Sequence, residues 1–227
     1  MSEALFPMCT IAVLVLPFFY CGRMCPPLPM PTIRPRSKQP LPENAKLAFK
    51  GIVFDVYQWE QRMFDGTTQT FEKLVRPDTA LIIPVTPEGK IVYIEEEQPG
   101  KGSFLALPGG RIDAGEDPEQ AARRELREET GYEPTELELW YSLQPVAKIE
   151  WSVFVFIGRG CRKVADPSTE PGERITGREV EVAEFLRLVL DDRFHDTELK
   201  MRVLELKAVG RLPGLERYLL QGGEHLA

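Results

Sequence analysis

Stretches of alternating and continuous apolar residues divide the chain from residue 46 onward into candidate strands separated by turns. Runs rich in β-branched and aromatic side chains, bounded by glycine, proline and polar residues, are typical of strands. Two of these runs flank the turn at 86–89 and predict a β-hairpin. The predicted strands are 49–59, 70–75, 80–85, 90–97, 137–145, 151–157 and 179–185, with a short extended segment at 105–108.

Helix signals appear in the middle of the chain and again near its end. Asp117 followed by Pro118 and Gln120 is typical of a helix start, with an N-cap, a proline in the first turn and an amide three residues after the cap. Gly131 predicts a left-handed stop. A short helix is expected at 186–190 and a longer one from the N-cap Asp196 through 207.

The central helix carries an unusual arrangement of acids. Glu125, Glu128 and Glu129 are three and four residues apart, so their carboxylates share one helical face. Like charges repel there and favour a compensating cation, and Mg²⁺ prefers oxygen ligands shared with substrate phosphates. A solvated face laced with Glu and Arg is the alternative interpretation of such a charge run.

The spacing around this helix resembles the Nudix box at every fixed position. Five residues separate Gly110 from Glu116, and seven more separate Glu116 from Arg124-Glu125-Leu126. Glu128-Glu129 and Gly131-Tyr132 complete the pattern, with one residue before each pair. The chain is therefore identified from its sequence as resembling the Nudix hydrolases, in particular the ADP-ribose pyrophosphatase branch.

The resemblance implies roles for individual residues of the box. Glu125, Glu128 and Glu129 are implied ligands of Mg²⁺ or Mn²⁺, together with the backbone carbonyl of Gly109. Glu116 and Arg124 are implied to pair and to hold the loop against the helix, which is a structural role.

The resemblance also implies a mixed α/β fold, namely a Nudix-type α/β/α sandwich with a small N-terminal antiparallel sheet. Its predicted parts are a tail at 1–45 outside the fold, the small sheet at 46–77, the Nudix domain at 78–210 and an extension at 211–227. The small sheet takes part in homodimer formation in the ADP-ribose branch, so a homodimer is expected.

Hydrolysis needs a base that activates water. In the ADP-ribose branch a glutamate from a mobile loop does this, and the corresponding loop here is 164–178. Glu170 and Glu173 are the candidates, and Glu173 is preferred because Gly172 and Gly177 flank it and would let the loop close. Glu129 of the box is a further catalytic candidate.

Aromatic residues are candidates for stacking on a nucleotide base, although most aromatic side chains lie in cores and interfaces. The substrate-binding candidates are Trp59, Trp140 and Trp151, with Phe64 and Tyr141 as further possibilities.

The expected reaction is metal-assisted hydrolysis of a nucleoside diphosphate joined to another group, with ADP-ribose giving AMP and ribose 5-phosphate. Pro145 lies 145 − 132 = 13 residues after Tyr132, whereas a proline follows at about fifteen in the ADP-ribose branch. Nucleotide sugars, dinucleoside polyphosphates and oxidised nucleoside triphosphates therefore stay open as substrates. A non-catalytic Nudix-fold sensor is the other alternative, and the intact box argues against it.

Charge and composition limit the partners. The net charge is −7, from 28 basic and 35 acidic residues, and no basic block is present, which disfavours a polynucleotide partner. The apolar segment 5–20 precedes a proline-rich stretch and lacks basic residues before it, so export or anchoring is the minor alternative to a non-native tail. The four cysteines form no metal or disulfide framework and favour a reducing, cytoplasmic compartment.

Overall fold

The computed structural model describes residues 34–169 and 172–222. The apolar segment 5–20 and three of the four cysteines lie outside these residues. The described strands are β1 Lys46–Phe49, β2 Asp55–Arg62, β3 Thr68–Val75, β4 Thr79–Pro84, β5 Lys90–Gln98, β6 Lys101–Ala106, β7 Gly109–Arg111, β8 Tyr132–Glu133, β9 Glu136–Leu143, β10 Ile149–Glu150, β11 Val153–Arg159, β12 Arg162–Lys163 and β13 Arg174–Glu181. The described helices are α1 Pro118–Thr130, α2 Val182–Leu188, α3 Thr197–Ala208 and α4 Leu212–Gln221.

A mixed sheet with the strand order β7-β4-β11-β9 lies at the centre of the fold, and β4 and β11 run parallel. Alternate residues of its strands face opposite sides. Ile82 and Phe156 pack with Leu126 of α1, whereas Ile83 and Val155 belong to the core that α2, α3 and α4 cover. Helices thus cover both faces of the sheet, and the predicted mixed α/β sandwich is confirmed.

Strands β4 and β5 join at the predicted turn but belong to different sheets. The turn closes through the bond from the Thr86 N–H to the Lys90 carbonyl. Just before it, the N–H of Val85 donates to the carbonyl of Gly158 and its carbonyl accepts from Cys161. Because the backbone of Val85 is bonded to the end of β11, β5 diverges and forms the sheet β13-β5-β6. The predicted hairpin is therefore wrong beyond its turn.

The small N-terminal sheet has the order β1-β2-β3-β10. The single strand predicted at 49–59 is instead two strands, because the chain reverses at 50–54. The Gly51 N–H donates to the Asp55 carboxylate there, and a side chain at Gly51 would collide with the Phe54 carbonyl. Strand β10 joins the sheet from the later part of the chain, pairing parallel with β3.

Part of the predicted tail packs against the fold. Arg34 forms ion pairs with Asp78 at 2.7 Å and with Glu150 at 2.8 Å. The buried Lys73 ammonium lies 2.6 Å from the other oxygen of the Glu150 carboxylate, and it also donates to the carbonyl of Gln39. Residues 34–45 therefore lie within the fold rather than in a tail, because they supply partners for buried charges.

The C-terminal part differs from the prediction in two ways. The alternating segment 179–185 is strand only to Glu181, and α2 begins at Val182. Val182, Phe185 and Leu186 have helical spacing and are buried together. The predicted extension 211–227 contributes α4, whose Leu215 and Leu219 belong to the main core.

Candidate active site

Helix α1 begins and ends as its sequence predicts. The Asp117 carboxylate accepts from the Glu119 N–H at 2.8 Å, and the Gln120 side chain returns a bond to the Asp117 N–H, which completes a capping box. Gly131 ends the helix with φ of +78°, in the left-handed region. The three candidate carboxylates therefore stand on one rigid helix of known register.

Two glycines let the backbone approach this helix closely. The Gly109 N–H donates to the Glu129 carboxylate at 2.8 Å. A Cβ on Gly110 would overlap the carboxylate of Glu125, and one on Gly109 would collide with the carbonyl of Ala80. The close approach predicted for the glycine pair is present. The Gly109 group that contacts the Glu129 carboxylate is its N–H. The role of the Gly109 carbonyl as a metal ligand stays a prediction.

Arg124 lies at the centre of an acidic network. Its guanidinium donates to both oxygens of Glu116, at 2.8 and 2.9 Å, in a forked arrangement. It also donates to Glu125 at 2.8 Å and to Glu128 at 3.2 Å. The hydrogen bonds from Arg124 hold the pKa of Glu116 below its usual value. The predicted pair is present, and Arg124 additionally neutralises two of the three proposed ligands.

Glu129 is the most deeply buried of the box acids, with 8% of its surface exposed. Burial raises its pKa well above the usual value, and the neighbouring carboxylates of Glu125, Glu96 and Glu173 raise it further. Burial also raises the pKa of Glu125. Buried acids that repel one another are costly unless a cation compensates for their charge.

The region around α1 also matches a known protein family. The NUDIX domain family model matches residues 75–201, which is more than half of the chain. The chain belongs to the Nudix family of hydrolases.

This Nudix hydrolase is similar to several characterised proteins. It is 28% identical to the ADP-ribose pyrophosphatase of Bacillus subtilis, over 70% of this chain and 89% of that protein. It is likewise 28% identical to the methanol dehydrogenase activator of Bacillus methanolicus, over 70% and 88%. The ADP-ribose pyrophosphatase of Mycobacterium tuberculosis is 29% identical over 70% and 79%. A solved ADP compounds hydrolase shares the fold, with a TM-score of 0.61 and 22% identity over 78% of this chain and 99% of that one.

The box residues fit a hard divalent cation by their chemistry. Each proposed ligand offers oxygen, which Mg²⁺ and Mn²⁺ prefer. Within residues 34–169 and 172–222, no three His, Cys, Asp or Glu side chains converge closely enough to hold a metal ion as they stand. In this arrangement Arg124 donates to oxygens of Glu125 and Glu128, and the Gly109 N–H donates to one oxygen of Glu129. Rotation of flexible glutamate side chains would release these oxygens without moving the helix.

The loop candidates have different outcomes. Glu173 directly precedes β13, and its charge helps to raise the pKa of Glu129, so it lies near the box. It also lines a cavity of about 500 Å³ beside the β5–β6 turn. Glu170 lies outside the described residues. The hinge expected at Gly177 is wrong, because this glycine lies within β13 and pairs with Ile94 of β5.

The tryptophan candidates are mostly core residues. Trp140 is 1% exposed and Trp59 is 5% exposed, so neither offers a face for a nucleotide base. Their large apolar rings fill the main core and the small sheet instead. Trp151 is partly exposed, its indole N–H donates to the Thr79 hydroxyl, and the Arg76 guanidinium lies 4.7 Å from its ring centre. Of the three tryptophans, only Trp151 retains its candidacy on accessibility.

One acidic residue near the box escaped the sequence analysis. Glu96 of β5 is buried and contributes to the raised pKa of Glu129. It stands within the run Glu95-Glu96-Glu97, which reads as a solvated charge cluster. The alternation of buried and exposed positions along the strand could have identified Glu96, because it places Glu96 on the same inward face as Ile94.

Proposed function

We propose that this Nudix hydrolase cleaves the diphosphate of ADP-ribose to give AMP and ribose 5-phosphate. The observation that carries the proposal is the helical face of Glu125, Glu128 and Glu129 held against the Gly109–Gly110 backbone. Two relatives that align with 70% of this chain are named ADP-ribose pyrophosphatases, which favours ADP-ribose over other nucleoside diphosphate derivatives.

The proposed cofactor is Mg²⁺ or Mn²⁺, held by Glu125, Glu128 and Glu129 with the Gly109 carbonyl. A divalent cation neutralises the diphosphate and polarises its phosphorus–oxygen bonds. Arg124 keeps the loop at Glu116 closed against α1 and orients two of the ligands. The three carboxylates thus stand on one helix, and the buried charge of Glu129 is the one that most requires a cation.

The proposed base is Glu173, with Glu170 and Glu129 as the alternatives. The base accepts a proton from water, the water oxygen forms a bond to phosphorus, and the bridging phosphorus–oxygen bond breaks. The bond electrons remain with the departing phosphate, so atoms and charge balance. The charge of Glu173 contributes to the raised pKa of Glu129, which supports this assignment.

We also propose that the enzyme is a homodimer. The small N-terminal sheet and its turns expose several large apolar side chains, which are costly to leave in water and are typical of an interface. These are Leu47, Phe49, Ile52, Phe54 and Phe64.

The proposed partners are small molecules rather than nucleic acid, and the proposed compartment is the cytoplasm. The acidic net charge of −7 supports the first assignment. The cysteine pattern of the sequence supports the second. Across residues 34–169 and 172–222, every helix is too short or too polar to span a membrane.

A substrate panel tests the function. Purified protein with Mg²⁺ is offered ADP-ribose, nucleotide sugars, dinucleoside polyphosphates and oxidised nucleoside triphosphates, and the products are separated by chromatography. We expect ADP-ribose to be hydrolysed at least about tenfold faster than the others, and Glu129→Gln to lose at least about 100-fold in rate. Glu119→Gln, on the exposed side of the same helix, is the control. Equal or absent turnover of all compounds would contradict the assignment.

A further inference from the structure

Three consecutive glutamates near the end of β5 face different surroundings. The side chains of Glu95 and Glu97 are 40% and 54% exposed, whereas Glu96 is 8% exposed. Successive residues of a strand point to opposite faces, so the alternation places only the middle glutamate inside. The exposure of Glu96 therefore differs from that of Glu95 and Glu97 because Glu96 faces the other side of the sheet.

The outer two glutamates have cationic partners, and the inner one has none among the described residues. Glu95 lies 3.5 Å from Arg178, and Glu97 lies 3.4 Å from Arg174, both at the surface. For Glu96 the described part of the chain offers no ion pair, and its carboxylate accepts a hydrogen bond from the neutral amide of Gln98. A carboxylate buried with a single neutral donor is destabilising unless another positive group is present when the protein acts.

Strand register directs Glu96 toward the box. Ile94 pairs with Ala106 of β6 and Glu96 pairs with Phe104. Strand β6 ends at Ala106, and Leu107 and Pro108 connect it to Gly109 of β7, whose N–H donates to Glu129.

Val92 and Glu96 share one face of β5, because they are an even number of residues apart. A Cβ added at Gly177 of β13 would lie 4.0 Å from Val92 and 3.8 Å from Thr130 at the end of α1, so this face of β5 is turned toward α1. The charge of Glu96 accordingly contributes to the raised pKa of Glu129.

We propose that Glu96 is a further carboxylate of the divalent-cation site and raises the affinity of that site for Mg²⁺ or Mn²⁺. It supplies the negative charge from β5 that complements the charges of Glu125 and Glu129 from α1. The inference rests on the cation dependence proposed above. A cation at the site would in turn compensate for the buried charge of Glu96.

Direct measurement of Mn²⁺ binding tests this assignment without reference to catalysis. The full-length protein and its variants are titrated with Mn²⁺, and free ion is counted by electron paramagnetic resonance. We expect Glu96→Gln to weaken binding about tenfold or more, as loss of a group supporting a metal site typically does. Glu95→Gln and Glu97→Gln are matched controls on the same strand and should stay within about twofold of the wild type.

Two outcomes separate the inference from the function on which it rests. Absence of Mn²⁺ binding by the wild type would overturn the cation dependence itself. If the wild type binds Mn²⁺ and Glu96→Gln binds it as tightly as Glu97→Gln does, only the role of Glu96 is overturned.

Thermal unfolding without metal provides the second readout. Glu96→Gln removes repulsion against Glu129, so we expect its melting temperature to equal or exceed that of the wild type without metal, and to rise less when Mn²⁺ is added. Glu96→Met, which removes the charge at similar volume, should behave in the same way. A normal rise with Mn²⁺ in either folded variant would contradict the proposal.

Discussion

Replacement of Gly131 by alanine tests the junction between the box helix and the loop that leads to the proposed base. Gly131 has φ of +78°, and an added Cβ would collide with the carbonyl oxygen of Ala165. The N–H groups of Val164 and Ala165 both donate to the Gly131 carbonyl. The substitution therefore strains the backbone and also displaces the segment that is bonded to it.

Gly66→Ala is a matched control, because Gly66 has φ of +86° and open space around an added Cβ. The left-handed conformation costs alanine about 1 kcal/mol, partly offset by a less flexible unfolded chain. Gly131→Ala adds the collision and the loss of about one hydrogen bond. We expect it to lower the free energy of unfolding by about 2 kcal/mol more than Gly66→Ala does.

Urea denaturation followed by circular dichroism measures both variants, and the slope with denaturant should not change. Because the Ser168 N–H also donates to the carbonyl of Glu128, displacement of this segment should slow hydrolysis as well. Equal destabilisation by the two substitutions would refute the reasoning, since it would show that the Ala165 backbone moves away from the added Cβ without a loss of stability.

Three further substitutions probe the charges and the close contacts. Glu116→Gln should lower the free energy of unfolding by about 1–3 kcal/mol in a urea titration, because it weakens the forked hydrogen bond to the Arg124 guanidinium. The control Glu119→Gln, in an exposed pair with Arg123, should change it by less than about 0.5 kcal/mol. Gly110→Ala should leave the melting temperature nearly unchanged, because only the flexible Glu125 carboxylate must move, yet it should weaken Mn²⁺ binding in a titration. Burial raises the pKa of Asp196 from 3.8 to about 7, so its ionisation reduces stability as pH rises from about 4 to 7. Asp196→Asn, which keeps a hydrogen-bond acceptor, should therefore be more stable than the wild type at pH 8 by on the order of 4 kcal/mol, and should show no such gain at pH 4, in urea titrations at the two pH values.

Local signals predicted the parts of the fold that short-range geometry controls. The start and end of α1 follow from Asp117, Pro118 and Gly131, whose effects act within one turn of the helix. The shared face of Glu125, Glu128 and Glu129 follows from helical spacing alone. The pair of Glu116 and Arg124 could be anticipated only from the family resemblance, since the loop between them has no regular period.

Long-range pairing accounts for most of the differences. The alternating pattern of β4 and β5 is compatible with a hairpin, and only the bonds of Val85 to the end of β11 separate the two strands. Asp196 precedes α3 as predicted, but its carboxylate accepts from the N–H of Leu107 rather than capping the helix. Contacts between residues so distant in sequence leave no local trace.

The charge at residue 96 shows the same limit within the site. A run of three glutamates indicates a solvated surface when it is read as composition. Read as a strand, it places one acid on the inner face, and the identity of that acid depends on the register with β6. Identifying Glu96 from the sequence would thus have required the register of its strand rather than a further motif.

Anomalous diffraction from a crystal grown with Mn²⁺ tests the central claim most directly. The account predicts an anomalous peak bounded by the carboxylates of Glu125, Glu128 and Glu129, beside the backbone of Gly109. It also predicts that the peak disappears from crystals of Glu129→Gln grown under the same conditions. Carboxylates that remain bonded to Arg124 and the Gly109 N–H, with no peak between them at saturating Mn²⁺, would contradict the claim.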